Sequence, residues 1–431
     1  MSHREARDGT SQRRQDTRFR SALRNHRLRG ACETAVDMNN LERRIGILRA
    51  YGAASNTLDE LLRYNANHFD QAAVLAPRTY PLADEEFVST WVAYAKNADC
   101  GKVFDFLRAR LVQLNFPIRE GISRSDDYIA ATKRGQTITG MQAATGLVLE
   151  QPGQLSLEVH QTPAGKIPIV YAPSRTDFVS LLRALTMRNE PLPVADSMGA
   201  CIVSGYNNWD RIRAYRGKWE RRSGRGCHSA WDSEFLRLIS RKHLYQDCFL
   251  LLSGGYYSGV TPDALNLSDK DWREKSLVIR REHECTHYFT RRVFSSMRNC
   301  LFDELIADYT GIIAAIGRFR ANWFLHFVGL EDSPRYRRGG RLENYRGQPA
   351  LSDSAFQILQ ALVKSAAESL ERFTDHHAIL LHEPNFQTVM LCTLSTLTLE
   401  ELAAPESQEM LAQTLQEFLD RSESATPLEA S

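Results

Sequence analysis

His283-Glu284-Cys285-Thr286-His287 is the segment whose residue types and spacing can do chemistry. Residues four apart on a helix lie one above the other on the same face. His283 and His287 can therefore aim two imidazoles at one ion, with Zn–N bonds of about 2.0–2.1 Å. Glu284, one step round the helix, is placed to hold a water beside the ion rather than the ion itself. Cys285 falls on the other side, in line with Val278, Phe289 and Val293, and reads as a core thiol.

A second cluster follows 16 to 21 residues after His287: Asp303-Glu304-Leu-Ile-Ala-Asp308, leading into Ile312, Ile313 and Ile316. Glu304 and Asp308 again stand at i and i+4. Two carboxylates stacked on an otherwise apolar helix are unfavourable to bury without a cation or donors beside them.

HExxH followed some 20 residues later by Glu-x-x-x-Asp resembles the gluzincin metallopeptidases, the thermolysin-like clan, over about 55 residues from Gly254 to Asp308. The resemblance implies zinc as cofactor, His283, His287 and Glu304 as its ligands and Glu284 as general base. Asp308 would then accept a hydrogen bond from the far N–H of a ligand imidazole. The stretch Ser253 to Val260 stands where the clan has its substrate-binding edge strand, which makes Gly255 and Tyr256 substrate-binding candidates. The clan also supplies a donor to the oxyanion. Here the candidates are Arg341 and Tyr345, in Gly-Gly-Arg-Leu-Glu-Asn-Tyr-Arg.

Asp308 as third ligand is the alternative to Glu304. The metzincin pattern is excluded, because Thr290 and Val293 stand where it needs Gly and His. The implied function is a zinc-dependent hydrolase, a metallopeptidase or amidase acting on a peptide or amide substrate. The reading from another class is a non-catalytic, zinc-stabilised interaction protein on a degenerate zincin scaffold. Its partner-binding parts would be the basic head and the acidic C-terminal helix. Retention of Glu284 favours the enzyme, because a structural zinc site has no use for that carboxylate.

The elements that must position these groups follow from periodicity. Ser268-x-x-Asp271 is an N-cap pattern, and no Pro or Gly interrupts Asp269 to Asn299, so one long helix should carry HExxH. Leu155–His160 alternates like a half-buried strand, Ile167–Tyr171 pairs with it across an Ala164-Gly165 turn, and Ala200–Val203 and Phe249–Ser253 are further strands. Glycines 254, 255 and 259 mark a place of close approach. Gly205-Tyr-Asn-Asn-Trp-Asp210 reads as a loop closure.

Upstream, Thr57-x-x-Glu60 reads as a capping box. Phe87, Val88, Trp91, Val92 and Ala95 form one apolar stripe, and Val103, Phe104, Leu107, Leu111 and Leu114 another. Downstream, Phe356, Leu359, Leu362 and Val363 form a helical face. Leu402, Leu411, Leu415 and Leu419 outline an amphipathic helix with an acidic exterior.

The fold class expected is therefore α+β and mostly helical. A zincin-like core with a small mixed sheet packs on the HExxH helix, between helical N- and C-terminal parts. The divisions are a basic, solvated head (1–30), a helical unit (31–139), the α+β catalytic region (140–333), a connecting loop (334–350) and a helical C-terminal unit with an acidic tail (351–431).

The 431 residues carry a net charge of +2 with 43% hydrophobic side chains, which argues against wholesale disorder and against a dedicated nucleic-acid binder. Nine arginines crowd the first 30 residues without an apolar run, so this head is not a secretory signal. No stretch is long and apolar enough to span a bilayer. Eight cysteines without a CxxC pair read as reduced thiols in a cytoplasmic protein.

Overall fold

The computed structural model describes residues 31–99, 101–223, 228–295, 300–383 and 385–424. The Arg-rich head, the side chains of the Cys227-His228 pair and the last seven residues lie outside them.

Four strands form one mixed sheet: β1 (Ser156–Thr162), β2 (Gly165–Ala172), β3 (Ala200–Asn207) and β4 (Gln246–Ser253). Their order is β1-β2-β4-β3. β1 and β2 are an antiparallel hairpin, β2 and β4 run parallel, and β3 closes the other edge antiparallel to β4. All four strands overlap their expected segments, but β3 extends through Gly205, Tyr206 and Asn207, residues read from the sequence as part of a loop closure. β4 is buried from Asp247 to Ser253, as an interior strand covered on both faces must be. At its end, a Cβ on residue 254 would lie 2.6 Å from the Pro173 carbonyl oxygen, so only glycine lets the two strand ends meet.

The helices are α1 (Ala31–Ala50), α2 (Ser55–Tyr64), α3 (Glu86–Asn97), α4 (Asp126–Arg134), α5 (Arg175–Thr186), α6 (Trp209–Ser223), α7 (His228–Ile239), α8 (Asp269–Phe294), α9 (Leu301–Ile316), α10 (Ala321–Val328), α11 (Asp353–His376), α12 (Phe386–Thr396) and α13 (Ser407–Ser424), with shorter turns between. Helix makes up 61% of the chain beside one small mixed sheet, which defines an α+β fold. No helix among the described residues is long and apolar enough to cross a membrane.

α8 is the axis of the molecule. Ser268 caps it, its Oγ accepting from the Asp271 amide at 3.1 Å. One side of α8 packs on β3 and β4, and another on α9. The α8–α9 crossing is close because residue 311 is glycine: a Cβ there would sit 2.8 Å from the Ile279 carbonyl oxygen. One continuous cluster of buried side chains reaches from Ile47 through Phe249 and Phe289 to Phe418. A smaller one joins Phe116 and Tyr128 to Trp209 and Leu238.

Three local expectations need correction. Thr57 does not cap α2 from outside. It lies on the first turn, where its Oγ1 accepts from the Ala54 amide at 2.9 Å and donates to the Ala54 carbonyl. On α3 the apolar stripe runs through Phe87, Val88, Trp91 and Tyr94, while Val92 is exposed; Tyr94 earns its burial through a hydroxyl that donates to Asp210 at 2.7 Å. The acidic C-terminal segment is two helices, Leu399–Ala403 and α13, because Pro405 cannot continue the first. Leu402, Leu411 and Leu415 are nonetheless buried.

Candidate metal centre

His283 and His287 face α9 from successive turns of α8, and both are buried. Glu304, on the first turn of α9, meets them. The Nε2 atoms of the two imidazoles are 3.1 Å apart. Glu304 Oε2 lies 3.5 Å from His283 Nε2, and Oε1 lies 3.4 Å from His287 Nε2. Four ligands at the corners of a tetrahedron with bonds of about 2.0–2.1 Å stand about 3.3 Å from one another. The three donors of this chain already have that spacing.

The far sides of both rings are held by carboxylates. Asp308 Oδ1 is 2.8 Å from His283 Nδ1. Asp303 Oδ2 is 3.4 Å from His287 Nδ1, an ionic contact that lacks hydrogen-bond alignment. A proton on each Nδ1, the arrangement these acids favour, leaves both Nε2 atoms as acceptors. Two lone pairs pointing at each other across 3.1 Å, with a carboxylate beside them, call for a cation.

Residues from two further segments, Tyr257–Gly259 and Arg341–Tyr345, close the cluster. The Tyr257 hydroxyl donates to Asp308 Oδ1 at 2.6 Å and lies 2.9 Å from His283 Nδ1. Arg341 Nη1 donates to Tyr257 at 2.9 Å and to Ser258 Oγ at 3.2 Å, while Nη2 donates to Asp308 and stands 3.7 Å from Glu304 Oε2. The buried Tyr345 hydroxyl faces Glu304; burial first, and then that carboxylate, push it well above the usual phenol range.

The electrostatics follow from these neighbours. Burial alone would raise the Glu304 and Asp308 carboxyls, but the histidines and Arg341 outweigh it and hold both below the ordinary range. For His287 burial pulls downward, and Asp303 and Glu304 override it, raising the imidazole well above its ordinary value.

Of the residues singled out from sequence, His283, His287, Glu304, Asp308, Arg341 and Tyr345 come together. Glu284 is half-buried at the next position of α8 and faces β3. Burial, and after it the Glu284 carboxylate, push the Cys201 thiol of β3 up to about 12. Gly255 and Tyr256 do not join the cluster. The Gly255 carbonyl faces Arg280 Nη2 at 3.4 Å, and the Tyr256 hydroxyl bonds Asp269 near the start of α8.

The stretch 254–260 is an irregular turn around a single 3-10 element, Tyr257–Gly259, and not an edge strand. The sheet edge nearest Glu284 is β3. Sequence reasoning missed Tyr257, and it placed Asp303 in the acidic cluster without giving it a role. The glycine-flanked Tyr-Tyr pair pointed to the right turn, but nothing in the pattern told which ring turns inward.

A family model described as a family of unknown function (DUF7005) matches residues 46–406, and the chain belongs to that family. The match takes in the sheet, α8, α9 and the Arg341 turn together. No curated protein and no solved structure matches the chain.

Proposed function

We propose that this protein is a zinc-dependent hydrolase of the gluzincin type, a metallopeptidase or amidase with a zincin-like core and a peptide or amide substrate. The observation that carries this reading is the convergence of His283, His287 and Glu304, whose ligand atoms all lie within 4.8 Å of one another. Two imidazoles and a carboxylate, with one further position left for solvent or substrate, are the donor set of a catalytic rather than a structural zinc site. A zinc ion bound there supplies Lewis-acid polarisation of the scissile carbonyl and a lowered pKa for water.

The chain's own groups do the rest. Asp308 fixes the tautomer and direction of the His283 imidazole through a hydrogen bond, and Asp303 favours a proton on the near nitrogen of His287 through its charge. Arg341 and Tyr257 keep Asp308 ionised and in place. Arg341 supports the ligand shell from behind through Nη1, on Tyr257 and Ser258, and Nη2, on Asp308, while its buried Nε has no hydrogen-bond partner among the described residues. Glu284 takes the proton from the attacking water and returns it to the departing amine. It is half-buried, next in sequence to His283 and close enough to Cys201 of β3 for its charge to be felt there.

The test is Glu284→Gln in the full chain, assayed on a panel of peptides and amides together with metal analysis. Turnover should fall by about 10²–10⁴-fold, the usual share of a general base, with zinc content unchanged. Undiminished hydrolysis by the purified variant overturns the mechanism. His287→Ala should also lose the ion of this centre.

A further inference from the structure

α8 presents metal-binding side chains on two faces. Glu282 and Cys285 are three residues apart and project about 150° round the helix from the mean direction of His283 and His287, at 3.6 residues per turn. β1, the outer strand of the sheet, crosses this side and contributes His160. One ligand atom from each of His160, Glu282 and Cys285 lies within 4.8 Å of the other two. His160 Nε2 is 3.1 Å from Glu282 Oε1, and the side chains of these residues are 22% and 19% exposed. The Cys285 thiol forms the buried floor, 4% exposed. An ion could enter past the histidine and glutamate and meet the sulfur last.

We propose that His160, Glu282 and Cys285 form a second transition-metal site, one that takes zinc and pins β1 to the back of the helix carrying His283 and His287. The donors select the class of ion. A thiolate with an imidazole and a single carboxylate favours a borderline-soft divalent cation over magnesium or calcium, which take oxygen ligands. Arg281 steadies the carboxylate, its Nε donating to Glu282 Oε1 at 2.8 Å, with Nη1 3.9 Å from Glu158 on the same strand. Such a partner is what orients a ligand oxygen. Coordination through Sγ releases the thiol proton to solvent; nothing is oxidised or reduced. Residues 160 and 282 are 122 positions apart, so the ion would tie together segments that no local pattern connects.

The experiment uses the metal-free full-length protein titrated with Co2+. His283, His287 and Glu304 offer only nitrogen and oxygen, so thiolate-to-cobalt charge-transfer absorption reports the second site alone. Wild type should bind two equivalents and develop the band. Cys285→Ser and the more exposed His160→Ala should each bind one equivalent and lose the band. His287→Ala should also bind one equivalent but keep it. Circular dichroism of each variant shows that it is folded. If wild type gives no thiolate band, or if the band persists in Cys285→Ser, the proposal is overturned and His160–Glu282 is only an ion pair over a buried thiol. Loss of the first site alone leaves the band intact, so the two readings fail separately.

Discussion

A buried acid on β4 and a group of buried acids on α9 are satisfied in different ways. Asp247, at the start of that strand, is fully surrounded by donors. Trp91 Nε1 reaches Oδ2 at 2.8 Å, Asn208 Nδ2 reaches the same oxygen at 2.7 Å, and Arg211 Nη1 reaches Oδ1 at 2.7 Å. Asn208, from the turn that sequence marks as a loop closure, also caps the first turn of α6, its Oδ1 accepting from the Asp210 amide at 2.9 Å.

Around Glu304 the balance is reversed. Three acids and two imidazoles share the donors of Arg341, Tyr257 and Tyr345, and both oxygens of Asp303 lack a hydrogen-bond partner among the described residues. A buried charge closed by protein donors is architecture. A buried set of acceptors left short of donors is a receptor for a cation.

The contrast can be broken experimentally, beginning where the effect is largest. Arg211→Met strands the Asp247 carboxylate in the interior and should destabilise the protein by about 3–5 kcal/mol. The loss, read from urea unfolding, should be the same with and without a chelator. A chelator-dependent loss would mean that the two clusters are coupled. Next, stripping metal from wild type should remove the mass-action stabilisation, about 4 kcal/mol at a free-ion concentration a thousand times Kd. His287→Ala should keep only the part of that shift due to an ion at His160, Glu282 and Cys285, and His287→Ala combined with Cys285→Ser should show none; a full-sized shift in His287→Ala means that the first ion sits elsewhere.

A smaller effect is expected at the supporting acids. Asp308→Asn and Asp303→Asn should each weaken zinc binding by about 10–100-fold, measured by competition with a chromophoric chelator. Equal affinity in all three proteins would assign the acids to structure alone. Smallest of all, Tyr257→Phe removes one hydrogen bond to Asp308 and should lower stability by about 1 kcal/mol in the metal-free protein. Thermal melts with and without zinc would separate that loss from any change in affinity.

Much of this was readable from residue order, and the limits are physical. The strands and α8 followed from alternation, from Ser268 and from the absence of Pro and Gly. The pairing of His283 with His287 followed because helical spacing fixes which side chains share a face, and the choice of Glu304 over Asp308 beside them came from the resemblance to gluzincins. Arg341 and Tyr345 could be nominated from the resemblance and from their place after the two helices, but their roles depend on where a 3-10 turn folds back onto α9. Tyr257 was hidden because two adjacent tyrosines are equivalent until the turn assigns one to the core. The partnership of His160 with Cys285 is a long-range meeting of strand and helix, to which periodicity is blind. Thr57 and Val92 went astray at the ends and margins of helices, where one residue of displacement changes the role.

The missing side chain at residue 311 reaches further than its size suggests. With nothing between the Ile279 carbonyl and the backbone of α9, the two helices rest against each other one turn away from His283 and Asp308. That contact works as a gauge block: it sets the gap across which imidazoles and carboxylate must reach. A single methyl at this point would prise the two halves of the ligand shell apart without touching any of its members. The spacing of the candidate ligands is thus calibrated by an atom the protein does not have.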